Sequence, residues 1–192
     1  MATIATPDGV LELARERWLE DGRIDMGGLA AEVGIGRATL YRWVGSRERL
    51  IGEVLWTFAA DAMADARSRA KGSGPDYVAA VVERYLTGAL RFAPVRDFIR
   101  QEPEYALRVL ASKHSPMQQR SVAVTKELLD EQAEAGTLEP ALDTEDLAYL
   151  IVRIAESYLY SDVITGTDPD VGKAVDAIHA LLHAPRVPRR GH

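Results

Sequence analysis

The 192-residue chain contains no cysteine. Disulfides, thiolate metal sites and cysteine nucleophiles are therefore excluded, and the redox compartment is left open. No stretch approaches 18 uncharged apolar residues, so no membrane span and no membrane partner are expected. The opening MATIATPDG has neither the basic start nor the apolar run of a secretory leader, which points to a cytoplasmic location. There is no Gly-x-Ser-x-Gly elbow and no phosphate-binding glycine loop, and no histidine pair at metal spacing is picked out among the four histidines. No catalytic residue, no metal and no cofactor are expected on these grounds. A credible set of β-strands is missing as well. Cations are in the minority, with 23 Lys and Arg against 29 Asp and Glu and a formal net charge of -6.

What the chain does have is helical periodicity and 47% hydrophobic residues, enough for one sizeable core or for a small domain joined to a larger one. Thr6 and Pro7 open a first helix with Val10, Leu11, Ala14 and Trp18 as its apolar stripe, and Gly22 ends it. Asp25 caps a second helix, Gly34 makes a turn, and a third helix covers Gly36 to Trp43. Ser46 caps a fourth, which runs to about Arg69. The polar, turn-forming KGSGP at 71–75 is the expected domain boundary. Beyond it Asp76 caps the next helix, Pro94 and Pro103 interrupt two short ones, and Ser115-Pro116 opens a long one to about Ala135. His114, just before it, is read as a surface residue. A strongly apolar helix from Thr144 through Val163 and a last one from Asp170 to Leu182 follow. The fold expected is all-α: residues 1–70 form a four-helix unit that includes the start of the fourth helix, 71–185 a second, larger helical domain, and 186–192 a flexible tail.

The charge is unevenly placed. Gly34 to Leu50 carries Arg37, Arg42, Arg47 and Arg49 against Glu48, a net +3, whereas Asp143 to Asp162 has a net -4. The basic segment coincides with LAAEVGIGRATLYRWV, two short helical patterns around Gly34, which suits a helix-turn-helix. Leu40 and Trp43 would pack inward, leaving Arg37, Ala38, Thr39, Tyr41 and Arg42 on the outer surface. Arginine offers a fork to guanine in the major groove, and hydroxyls reach phosphate oxygens. The same pattern also occurs in helical proteins that bind no DNA.

The first 60 residues closely resemble the DNA-binding domain of the TetR family of one-component transcriptional regulators. The resemblance is carried by LELARERWLEDG and by LAAEVGIGRATLYRWVGSRERLI, with Leu29, Ala30, Gly34, Ile35, Gly36, Thr39, Leu40, Tyr41, Trp43, Arg47, Glu48 and Leu50 at the family's positions. Gly36 stands where the family usually has serine, Trp43 where it has phenylalanine, Arg47 where it has lysine, and Asp25 where it has threonine. Gly27 and Gly28, unusual within a helix, suggest a mobile second helix. The resemblance implies that Tyr41 hydrogen-bonds a phosphate and that Arg47, with the free amides after Ser46, holds another. It implies that Thr39 touches the backbone or a base edge, and that Arg37, Ala38 and Arg42 read sequence. The partners implied are a palindromic double-stranded operator, a second copy of the chain and a small, partly apolar effector whose binding releases the DNA.

The second domain carries no motif of comparable strength. By resemblance its last two helices form the dimer interface, with Leu150, Ile151, Ile154 and Leu159 as candidates for the shared core. Chamber candidates are Tyr85, Phe92, Phe98, Tyr105, Tyr149 and Tyr158. Arg153 and Glu156, three apart on an apolar helix, are either a structural ion pair or the polar feature of the chamber. The stretch RIAESYLYSDVITG is similar to the subgroup regulating breakdown of quorum-sensing lactones, which implies a lactone or fatty acyl effector. The competing reading is a helical ligand-binding or adaptor protein that has lost DNA binding.

Overall fold

The computed structural model describes residues 5–112 and 115–185; His114 and the tail 186–192 lie outside them. Every regular element among the described residues is a helix. The chain forms two compact units that do not follow one another along the sequence: the first takes residues through Ala60 together with Phe92–Gln118, the second Asp61–Arg91 and the chain from Gln119.

The first unit begins with α1 (Pro7–Asp21), where Thr6 Oγ1 accepts the amide of Gly9 and Pro7 occupies the first turn. Its buried face is Val10, Leu13, Ala14 and Trp18, so Leu13 rather than Leu11 completes the stripe. In α2 (Met26–Val33), Asp25 accepts the amides of Gly27 and Gly28. The helix ends at Gly34, with φ 78°. There Ile35 N–H donates to Ala30 O at 2.9 Å and Gly34 N–H to Ala31 O at 3.1 Å, the paired bonds of a Schellman turn. A left-handed residue is what turns the chain so sharply, and glycine takes that conformation without steric cost. α3 (Arg37–Val44) follows after three residues, with no side-chain cap from Gly36. Leu40 is fully buried, while Trp43 stays half-buried instead of joining the core.

α4 (Arg47–Arg69) is capped by Ser46 Oγ, which accepts the amide of Arg49, and it extends from the first unit into the second. α6 (Ala93–Gln101) and α7 (Pro103–Ala111) add Phe98, Ile99, Ala106 and Val109 to the buried set of the first unit.

The second unit is built on longer helices: α5 (Gly74–Arg91), α8 (Pro116–Glu134), which starts within the first unit, α9 (Thr144–Leu159), the short α10 (Ser161–Ile164) and α11 (Val171–Leu182). Val78, Val81 and Leu86 of α5 pack with Leu128 and Leu129 of α8, Leu147 and Ile151 of α9, and Ile178 and Leu182 of α11. Two expectations change here. Asp76 does not cap α5; the helix starts two residues earlier, at Gly74, whose N–H donates to Gln132 Oε1 at 2.8 Å. The helix expected to run from Thr144 through Val163 breaks at Tyr160. Ser161 Oγ turns back onto Tyr158 O, and Asp162 accepts the amide of Val163, so local side-chain bonds replace part of the helical ladder.

Candidate nucleic-acid interface and effector site

α3 presents Arg37, Ala38, Tyr41 and Arg42 to solvent, with Thr39 half-buried beside them. None of Arg23, Arg37 and Arg42 forms an ion pair among the described residues. Arg37 and Arg42 on α3, with Arg23 before α2, form a local positive field, whatever the net charge of the chain. A cleft of about 470 Å³ opens beside this surface, lined by Arg23, Arg37, Tyr41 and Arg47 together with Asp25. Arg23 was not singled out from the sequence. Its only signal there is its place next to a helix cap, and its role emerges once α2 and α3 are folded together.

Two members of the basic set are held by the protein itself. Arg47 Nε donates to Ile24 O at 3.1 Å, and its guanidinium sits 5.3 Å from the centre of the Tyr105 ring. That contact anchors the start of α4 to the loop before α2. The Arg37 guanidinium lies over the first turn of α2: a β-carbon on Gly27 would come within 2.3 Å of Arg37 Nη2. Gly27 therefore leaves room for an arginine. Asp25 is held below the usual carboxylate range, first by the amides of Gly28 and Gly27 and then by Arg37 and Arg47, against the cost of burial. Its carboxylate thus occupies the free amides of α2, and an incoming anion would meet the three arginines of the cleft. Ser46 Oγ is engaged as the α4 cap.

The effector candidates divide between the two units. Phe92, Phe98 and Tyr105 belong to the first. Phe92 packs on Phe58 at 5.1 Å, and Phe98 packs edge-on against Trp18 at 4.9 Å and against Tyr105 at 5.9 Å. The Tyr105 hydroxyl and the Trp18 indole nitrogen are buried without a hydrogen-bond partner among the described residues.

Tyr85, Tyr149, Arg153, Glu156 and Tyr158 belong to the second unit. Tyr149 is 52% exposed, whereas Tyr85 and Tyr158 pack against the core. Arg153 Nη1 donates to Glu156 Oε2 at 2.7 Å, and the carboxylate is the more buried partner. Burial pushes the Glu156 carboxyl up, offset in part by Arg153. Burial and then the charge of Glu156 push the Tyr85 phenol up to about 12, and the same two causes raise Tyr160 well above the usual phenol range. The structure thus brings the partly buried Tyr85 and Glu156 together with the buried Tyr160 in a polar group bordered by Arg153. Tyr160 is the member the sequence did not single out, because it is placed by the break after α9.

Residues 73–183 match the family model described as Tetracyclin repressor-like, C-terminal domain. The whole chain is similar to the structure of the R. erythropolis transcriptional repressor QsdR from the TetR family. Identity is 30% over 96% of this chain and 97% of that one, with a TM-score of 0.88. A putative TetR-family transcriptional regulator from Rhodococcus sp. is 14% identical over 92% of this chain and 97% of its own, with a TM-score of 0.53. The transcriptional regulator FadR from Bacillus subtilis, in complex with stearoyl-CoA, is 13% identical over 91% and 96%, with a TM-score of 0.54. The last two likenesses are of fold alone. No curated protein sequence matches the chain. No helix of the described residues is long and apolar enough to cross a membrane.

Proposed function

The chain belongs to the TetR family of transcriptional regulators, DNA-binding proteins rather than enzymes, and from that premise we infer that it is a dimeric repressor released from a palindromic operator by a small, partly apolar effector. The observation that carries this reading is the exposed cationic surface of α3 beside the arginine-lined cleft. Arg37, Ala38 and Arg42 are the base-reading positions. Tyr41, Thr39, Arg47 and the free amides at the start of α4 after Ser46 hold phosphates. Two-fold symmetry of the protein then requires two half-sites. The same surface speaks against an adaptor that has lost DNA binding, since Arg42 is exposed on it and forms no ion pair among the described residues.

We assign the functional division to residues 1–70 and 71–185, and the matched C-terminal family model, 73–183, supports that placement. The partner copy would meet α9 and α11, where Tyr149 and Leu150 lie exposed on α9. The effector head would meet Arg153, Glu156, Tyr85 and Tyr158, while its apolar part packs on aromatic walls. A lactone or fatty acyl compound has the required combination of a carbonyl and an apolar chain. That a protein of this fold was solved with stearoyl-CoA agrees with an acyl guest.

The test is a binding-site selection from random DNA with the full chain, followed by titration of the complex with acyl lactones, fatty acids and acyl thioesters. An enriched inverted repeat released by one of these classes is the expected result. No enriched sequence would overturn the DNA reading, and an operator complex indifferent to all three classes would overturn the effector class.

A further inference from the structure

His179 and His183 are four residues apart on α11, so they share one face of the helix, and Asp76 of α5 meets them there. The sequence reading passed over this pair. His179 Nε2 lies 2.9 Å from Asp76 Oδ1, and the two imidazole centres are 4.2 Å apart. One ligand atom from each of the three residues lies within 4.8 Å of the others. All three belong to the second unit and lie away from Arg153 and Glu156 in sequence.

We propose that Asp76, His179 and His183 form a divalent transition-metal site that ties the start of α5 to the end of α11. Hydrogen bonding already selects the tautomer such a site needs. His183 Nδ1 is 3.0 Å from His179 O, and a carbonyl only accepts, so Nδ1 carries the proton. The neutral ring therefore keeps its Nε2 lone pair for a ligand, in the arrangement where a backbone carbonyl orients a metal-binding imidazole. At His179 the cation displaces the Nε2 proton now shared with Asp76 Oδ1: a neutral ring passes that proton through solvent to its own Nδ1, and a charged ring releases it to solvent while keeping the one on Nδ1. No net proton is lost by a neutral ring in this exchange.

Bond lengths of about 2.0–2.2 Å to nitrogen and oxygen place tetrahedral ligand atoms roughly 3.3 Å apart. The 2.9 Å pair meets this with a small opening, and the widest separation closes by about 1–1.5 Å through side-chain rotation at a largely exposed site. Two imidazoles and one carboxylate suit Zn²⁺, Ni²⁺ or Cu²⁺ and not Mg²⁺ or Ca²⁺. Three protein ligands leave a fourth position for water or an external ligand. The consequence is that the stability of the second unit becomes linked to metal, whether or not the chain binds DNA.

The experiment uses untagged, EDTA-treated full chain and Zn²⁺ alone, read by calorimetry and by thermal melting. One Zn²⁺ per chain and a saturable rise in melting temperature are expected, with Mg²⁺ giving neither. His183→Ala and His183→Gln, at an exposed position, should fold as the parent does in EDTA and bind Zn²⁺ at least ~10-fold more weakly, as should Asp76→Ala. The double variant His114→Ala/His192→Ala should keep the parent isotherm. Parent-like binding by both His183 variants, loss of binding in the double variant, or no binding at roughly millimolar Zn²⁺ would each overturn the site.

Discussion

α3 and α9 are the two helices on which the proposed function turns, and they are built on opposite plans. α3 is eight residues long, buries Leu40 completely and shows cations on its outer surface. α9 is sixteen residues long and apolar around most of its circumference. It divides that surface between its own core, at Leu147, Ala148, Ile151 and Val152, and an outer strip at Tyr149 and Leu150. The first plan states its purpose in residue types. The second states only that burial occurs, because leucine and isoleucine look the same whether they meet their own chain or another.

The sharpest break of that comparison is Ile151→Asp against Leu150→Asp. Ile151 is 1% exposed and sits in the core of the second unit, so it cannot serve the shared dimer core expected of it. A carboxylate there has no solvent and no counter-charge, and we expect loss of about 4 kcal/mol or more, seen as insoluble or unfolded chain. Leu150, 37% exposed, should tolerate aspartate in the fold and yield monomers. Circular dichroism and light scattering on the two variants separate the outcomes. A folded dimer from Leu150→Asp would remove α9 from the interface.

Two glycines sharpen the contrast next. Gly74 has φ +56°, and a β-carbon there would stand 2.1 Å from Thr137 O, a backbone atom that cannot step aside. Gly74→Ala should cost about 2–4 kcal/mol in a denaturant melt. At Gly27 the obstacle is the far end of the Arg37 side chain, which can move. Gly27→Ala should therefore leave stability unchanged or improve it by up to about 1 kcal/mol through helix propensity. Its effect should appear instead in DNA binding, as a displaced Arg37. Equal destabilisation by the two substitutions would show that Arg37 is fixed as firmly as the backbone.

Within the basic surface, Arg47 and Arg42 should part company. Arg47 has a structural bond to Ile24 as well as the phosphate role proposed for it, so Arg47→Ala should weaken binding to all sequences, lower the salt slope by about one and reduce the stability of the first unit. Arg42→Ala should leave melting unchanged and relax one operator position, at about 1–3 kcal/mol. Site selection and melts on both variants test the assignment, and parent-like sequence preference with Arg42→Ala would sink it.

Legibility followed the same divide. Thr6, Asp25, Gly34 and Ser46 were readable because caps and turns depend on neighbours a few residues away. The start of α5 was misplaced by two residues because a distant side chain, Gln132, sets it. The break at Tyr160 was hidden because its apolar neighbours continue the helical period. Arg23 and Tyr160 entered their sites only through tertiary packing. The His179–His183 spacing was present in the sequence, but Asp76 lies 103 residues before His179, and only the pairing of α5 with α11 brings it there.

The smallest predicted effect tests whether the polar group around α9 is built for stability. Burial raises the Glu156 carboxyl despite the pull of Arg153, so the folded chain holds that proton to higher pH than the unfolded chain does. A group with a raised folded pKa that ionises from an acid weakens the fold as pH rises: stability is fullest below the ordinary carboxylate range and declines until the folded value is passed. Glu156→Gln copies the protonated form and has no such decline. It forfeits the bond to Arg153, but that guanidinium is 44% exposed and its ion pair is worth little against solvent. Melts should therefore show Glu156→Gln slightly more stable than the parent at neutral pH, with the gap closing on acidification through the carboxylate range. A variant less stable at neutral pH, converging from below, would mean that the pair with Arg153 outweighs burial and that Glu156 is a strut. The expected sign instead marks Glu156 as a group kept at a cost to the fold, which is what a residue retained for an effector would show.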